Sequence, residues 1–198
     1  MGDYTVIADV GETLIKLLRD NMSDLVNPDS IDLLSPADVE GHSIRLTLFL
    51  YSVSENAYLK NREVLQEHLS GLRQPPLTVD LYYILTTYAA NQIPDLTERT
   101  LEEHRILGRA MRVLYDNPIL RGSVLQGNLT GVDEEFRITL NSLSMEELNK
   151  IWTSFPTSHY HPSVGYLVTP VAIDSARTVE TQRVVVQKTE YYKTETRK

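Results

Sequence analysis

Cysteine is absent from this chain of 198 residues, which removes disulfides, thiolate nucleophiles and cysteine-built zinc sites together. No spanning hydrophobic run is present either. The longest charge-free stretch, 151–173, is interrupted by three prolines and many polar residues, so it does not read as a membrane helix. The opening "MGDYTVIADVGETLIKLLRD" carries acids where a secretory leader would carry a basic flank and an unbroken apolar run, so a cytosolically made, unprocessed chain is expected. Also missing are H-E-x-x-H, G-x-S-x-G and G-x-x-x-x-G-K-[ST], the short patterns that would announce a zinc protease, a serine hydrolase or a nucleotide loop. Basic charge is scarce, with a formal net charge of −8, which argues against bulk nucleic-acid binding.

What is present fits an ordinary folded protein, with 41% hydrophobic and 23% charged residues. The charge is unevenly placed. Residues 1–176 hold 13 Lys and Arg against 24 Asp and Glu, whereas residues 177–198 hold 6 against 3, so an acidic body carries a basic tail. The expected organisation is a globular domain over 1–176 and a strand-forming C-terminal arm over 177–198. The arm has no glycine or proline, and too little apolar surface to fold alone.

Apolar spacing predicts three main helices. Val6, Val10, Leu14, Leu17 and Leu18 mark the first, from Tyr4 to Val26, with Asp3 as N-cap and Glu12 paired to Lys16. The second runs over 97–117. The third opens with Ser144 and Glu147 at capping-box spacing and presents Leu148, Ile151, Trp152 and Phe155. Strands are expected at "SIRLTLFLYSV", "LTVDLYYILTTYAA", "FRITLN" and "VGYLVTPVAID", the last placed at a sheet edge because it contains Pro170. Between the first two, Val64, Leu65, His68, Leu69 and Leu72 could line a short helix ending at Gly71. The fold class is α+β, an antiparallel or mixed sheet of about five strands packed with three helices, because strands and helices do not alternate regularly.

Four features could carry function. In "RILGRAMRVLYDNPIL", Arg105, Arg109 and Arg112 share one helical face with Asp116, opposite Ile106, Leu107, Ala110, Met111 and Leu114. This face is either the wet side of a packing helix, with acids at its start and bases toward its end, or a surface that meets an acidic neighbour. His159 and His161 in "HYHP" fall on one side of an extended segment and, with an acid such as Asp174, could serve a metal-dependent hydrolase. Asp80 is the one acid forced toward a core, where an outward-facing position or an arginine partner is expected. In the arm, Val184, Val185, Val186, Tyr191 and Tyr192 beside Lys188 and Lys193 suit a strand added to a partner's sheet, or a single-strand nucleic-acid contact.

The segments "IADVGETLIKLLRDNM", "SIRLTLFLYSVSENAYLKN", "PPLTVDLYYILTTYA", "RILGRAMRVLYDNPIL", "LSMEELNKIWTSF" and "PSVGYLVTPVAIDS", in this order, resemble the cap or tail-terminator proteins of extracellular contractile injection systems. The resemblance implies a tail-terminator-like fold and a non-enzymatic, hexameric ring that closes the tube and sheath of a phage-tail-like particle. It implies the sheath and inner tube proteins as partners and release in an extracellular particle; with the composition and N-terminus read above, no cofactor, metal, membrane or nucleic acid is expected, and assembly is expected in the cytoplasm. An adaptor between tube and sheath is the neighbouring alternative.

Overall fold

The structure is a computed structural model that describes residues 3–60, 65–68, 71–90 and 92–180, with 65–68, 71–73 and 178–180 described by their backbone alone. In chain order the main elements are α1 (Val6–Met22), β1 (Ile31–Asp32), β2 (Leu46–Glu55), β3 (Leu65–His68), β4 (Gly71–Arg73), β5 (Leu77–Thr87), α2 (Leu96–Asp116), β6 (Ile119–Arg121), β7 (Glu135–Asn141), α3 (Met145–Thr153), β8 (Ser163–Ile173) and β9 (Thr178–Glu180). The chain divides into two compact units, one of Met1–Asn61 with Pro76–Asp174 and the other of Arg62–Pro75 with Ser175–Lys198.

In the first unit a six-stranded sheet runs β1-β2-β5-β8-β7-β6. Every pairing is antiparallel except β1 with β2, so the sheet is mixed and the class is α+β. Alternation along the strands sends Leu46 and Leu48 of β2 to a core that also takes Leu81, Tyr83 and Leu85 of β5 and Phe136 and Ile138 of β7. Val10, Leu14 and Leu18 of α1 and Ile106, Ala110 and Leu114 of α2 complete that core. On the opposite side of β2, Phe49 meets Phe155 edge-on at 5.6 Å, so the segment after α3 covers the second sheet face there.

In the second unit β4 is the middle strand of three, pairing with β3 and with β9 in the register Leu72 to Val179. The short helix expected around Leu65 to Leu72 is therefore corrected to strand structure. A brief apolar run serves either period, and β9, which stabilises the extended form, lies more than a hundred residues away. Val64 and Leu69 lie outside the described residues.

Other sequence readings also change. Helix α1 stops at Met22, and Asn27 caps a 3-10 turn at Pro28–Ser30 by accepting the Asp29 N–H at 3.0 Å. Thr5 precedes α1 in place of Asp3, and Lys16 pairs with Asp20 at 2.8 Å, leaving the expected Glu12 pairing unmade. Strand β8 is internal, between β5 and β7, despite Pro170. The pairing with β7 ends at Thr169, and the register with β5 shifts at Asp80, so the missing N–H falls where neither neighbour continues a regular ladder. The capping box of α3 forms as the sequence reads: the Glu147 N–H donates to Ser144 Oγ at 3.3 Å and Glu147 Oε2 accepts the Ser144 N–H at 2.8 Å.

Candidate functional site

Helix α2 starts at Asp95, whose side chain accepts the Thr97 N–H at 3.1 Å. Its buried stripe of Ile106, Ala110, Val113 and Leu114 turns Arg105 and Arg112 outward. Arg105 donates to Glu98 at 3.3 Å and Arg112 meets Asp116 at 3.5 Å, both exposed pairs along their own helix and worth little to stability. Arg109 is engaged differently. One of its terminal nitrogens donates to the Asn21 carbonyl at 3.1 Å and to Asp24 at 3.2 Å, so it ties α2 to the end of α1. The three arginines thus share a face as expected, but only Arg105, Arg112 and Asp116 are left presented outward.

Gly108 lies on this exposed side, and a methyl group built on it would touch nothing within 4 Å. The isolated subunit carrying Gly108→Ala should gain about 1 kcal/mol, read as a higher urea midpoint, because glycine costs roughly that much inside a helix. An unchanged or lower midpoint would show that the backbone there needs glycine.

Among the described residues, His159 and His161 belong to no metal constellation. His159 is exposed, whereas His161 lies half-buried with its ring 4.7 Å from Tyr88 and its Nδ1 3.7 Å from Glu103. Asp174 follows the C-terminal end of β8 and His161 precedes the N-terminal end, so the whole eleven-residue strand lies between them. Among the described residues, no group of three or more His, Asp or Glu side chains is arranged to hold a metal ion. Asp80 has found amide and hydroxyl partners in place of an arginine. It accepts from Asn56 Nδ2 at 2.8 Å and from the Thr169 hydroxyl, which fastens the β5-β8 irregularity to the end of β2.

Sequence reasoning missed a polar cluster where β2, β5 and α2 meet. Arg45 reaches Glu102 at 2.6 Å and donates from Nε to the Tyr88 carbonyl at 3.0 Å. Glu102 and Glu103 accept the N–H groups of Ala90 and Ala89 at 3.0 and 3.1 Å, closing the turn after β5. Burial alone would raise the Glu102 carboxyl, but the Ala90 N–H and the Arg45 guanidinium hold it below its ordinary value. Burial pushes the Tyr88 hydroxyl up to about 12. The only local signal was an arginine between Ile44 and Leu46 at the mouth of an apolar strand.

Burial also lowers the His161 pKa, with help from His159 and Arg99, against the pull of Glu103. A histidine whose folded pKa lies below its unfolded value of about 6.5 contributes stability that is full above that pH and is lost as pH falls through the folded value. Between pH 7.5 and 5.5, the urea midpoint should therefore fall more for the wild-type chain than for His161→Gln. Equal falls would show that His161 carries no such linkage.

Beside α3 and the segment that follows it lies an open depression lined by Met145, Asn149, Trp152, Phe155, Ser158 and Tyr160. Residues Val184, Val185, Val186, Tyr191 and Tyr192 lie outside the described residues. No described helix is long and apolar enough to cross a membrane.

Known structures share this fold. The sheath/tube terminator of an extracellular contractile injection system, PVC, in its extended state is 17% identical, with a TM-score of 0.65 over 98% of this chain and 66% of that one. The tube terminating cap of the anti-feeding prophage is 19% identical, with a TM-score of 0.62 over 93% of this chain and 61% of that one. The chain thus spans less than two thirds of either terminator, and at these identities the likeness establishes the fold. No curated protein matches the chain. The family model described as the Pvc16 N-terminal domain matches residues 9–187, and the chain belongs to that family.

Proposed function

We propose that this chain is a non-enzymatic structural subunit of the ring that caps and terminates the tube and sheath of a contractile, phage-tail-like injection particle. The observation that carries the reading is the fold shared over 98% of the chain with a sheath/tube terminator and over 93% with a tube terminating cap. Family membership, which rests on the sequence, supports it as well.

In this reading six copies form the ring, assemble in the cytoplasm onto the growing particle and leave the cell with it. Neither a metal nor a cofactor takes part. A ring made from one kind of subunit requires two complementary surfaces on each copy. Arg105, Arg112 and Asp116, exposed on α2, supply part of one surface, while Arg109 supports it from within. The basic segment 177–198, with Val184, Val185, Val186, Tyr191 and Tyr192, is the docking arm that engages sheath or a neighbouring copy.

Negative-stain electron microscopy of particles from cells with the gene intact, deleted or truncated after Ser175 tests the role. Deletion should abolish length control or leave few stable sheathed particles, and the truncated gene should fail to rescue. Particles of normal length, abundance and end structure without the gene would remove the capping role.

A further inference from the structure

The two edges of the six-stranded sheet differ. At one, β6 is three residues long and ends on exposed Arg121, a short charged edge of the kind that resists further pairing. At the other, β1 pairs only Ile31 with Leu46 and Asp32 with Thr47. From Phe49 to Glu55 the outer edge of β2 therefore has no backbone partner among the described residues. That stretch, "FLYSVSE", contains neither the lysine nor the proline that usually blunts a long edge, and Ser52, Val53 and Ser54 are exposed. A register shift at Tyr51 bends the strand, yet Ser52–Glu55 remain paired to β5 on the inner side, so the edge stays a formed template.

Charge indicates what would use it. The segment that leads into β1 and on toward β2, residues 20–44, holds six acids and no lysine or arginine. Asp20, Asp24 and Asp32 have ion-pair partners within the chain, whereas Asp29, Asp38 and Glu40 are exposed. A strand lying beside β1 would run past this acidic border. Residues 181–198 of the chain have the matching chemistry, with 5 Lys and Arg against 2 Glu and the β-branched run Val184, Val185, Val186.

We infer that the β2 edge from Phe49 to Glu55 receives residues 183–192 of a neighbouring copy of this chain as an added strand. The inference rests on the ring reading above and names the receiving surface. Backbone hydrogen bonds supply the affinity, and Arg183 and Lys188 meet the acidic border of β1. Each copy then carries one donor and one acceptor, as a closed heterologous ring requires.

The chain's lack of cysteine makes the contact directly measurable. Full-length Ser54→Cys in one copy is mixed with full-length chains of a different tag, each carrying one cysteine scanned from Val184 to Thr189. Disulfide formation is read both in concentrated purified protein and in particles from co-expressing cells. Mixed-tag links should exceed those of the exposed control Tyr115→Cys by on the order of ten-fold and alternate with a period of two, since a disulfide needs Cα atoms within about 7 Å and strand side chains alternate. No link above the control in either setting would overturn the inference, as would yields without the alternation. Links that form only when both cysteines are in one chain would place the arm on its own body and also overturn it. Absent links while gene deletion still costs length control would remove this edge and leave the capping role. Strong links with normal particles in the deletion strain would do the reverse.

Discussion

Gly165→Ala should be among the most damaging single methyl groups that can be added to this protein. Gly165 sits in β8, opposite Asn141 of β7 and Ile84 of β5, at the middle of the sheet. A Cβ there would lie 2.6 Å from the Asn141 carbonyl oxygen and 2.9 Å from Leu143 Cγ. The first of these atoms is backbone already fixed in the β7-β8 ladder, so it cannot swing away as a side chain would. Separating the strands to make room disturbs pairing on both sides of β8. Overpacking of this kind costs about 3 kcal/mol. With a slope near 2 kcal/mol per molar urea, the midpoint should drop by roughly 1.5 M. A shift under ~0.3 M would mean that β7 can move away freely, and that the tight β7-β8 register is not a determinant of the fold.

Arg45→Met should be comparably costly, for an electrostatic reason. Arg45 and Glu102 are 18% and 24% exposed, and their 2.6 Å pair joins the start of β2 to α2. The same arginine holds the Tyr88 carbonyl through Nε, while its own carbonyl accepts the Tyr88 N–H at 2.9 Å. Methionine preserves much of the packing but leaves Glu102 charged and half-buried, with the Ala90 N–H as its remaining strong partner. Removing one member of a fully buried pair costs about 3–5 kcal/mol, and the residual exposure here moderates the expected loss to about 2 kcal/mol. Glu102→Gln keeps an acceptor for Ala90 and should cost less. The double variant should be more stable than the sum of the two losses implies, by about 1 kcal/mol in a denaturation cycle. Strict additivity would show that Arg45 and Glu102 act independently.

Elements governed by neighbours in sequence were legible before the structure. The capping box at Ser144 and Glu147, the stripe from Val6 to Leu18, and the opposition of Ile106, Ala110 and Leu114 to Arg105 and Arg112 all follow from helical spacing. Elements governed by distant partners were not. Pro170 reads as an edge residue until the end of β7 pairing and the irregularity at Asp80 are known. Leu65 to His68 reads as helix until β4 and β9 supply a sheet.

The candidate site divides along the same line. That three arginines share a face of α2 is a property of helical periodicity, whereas the attachment of Arg109 to Asp24 and the Asn21 carbonyl depends on how α1 and α2 dock. The cluster of Arg45, Glu102, Glu103 and His161 draws on segments separated by more than fifty residues, and nothing in their local spacing announces it. Asp80 stands out in the sequence as an acid within an apolar strand, but its partners, Asn56 and Thr169, come from β-strand register that only the assembled sheet fixes.

The most direct test of the capping role is a cryo-EM reconstruction of the particle end opposite the baseplate, from cells producing this chain. The account predicts six copies of the sheet and its α1, α2 and α3 helices closing the end of the tube and sheath, with α2 of each copy at a subunit boundary. An end built without this chain, or this chain located elsewhere along the particle, would contradict it.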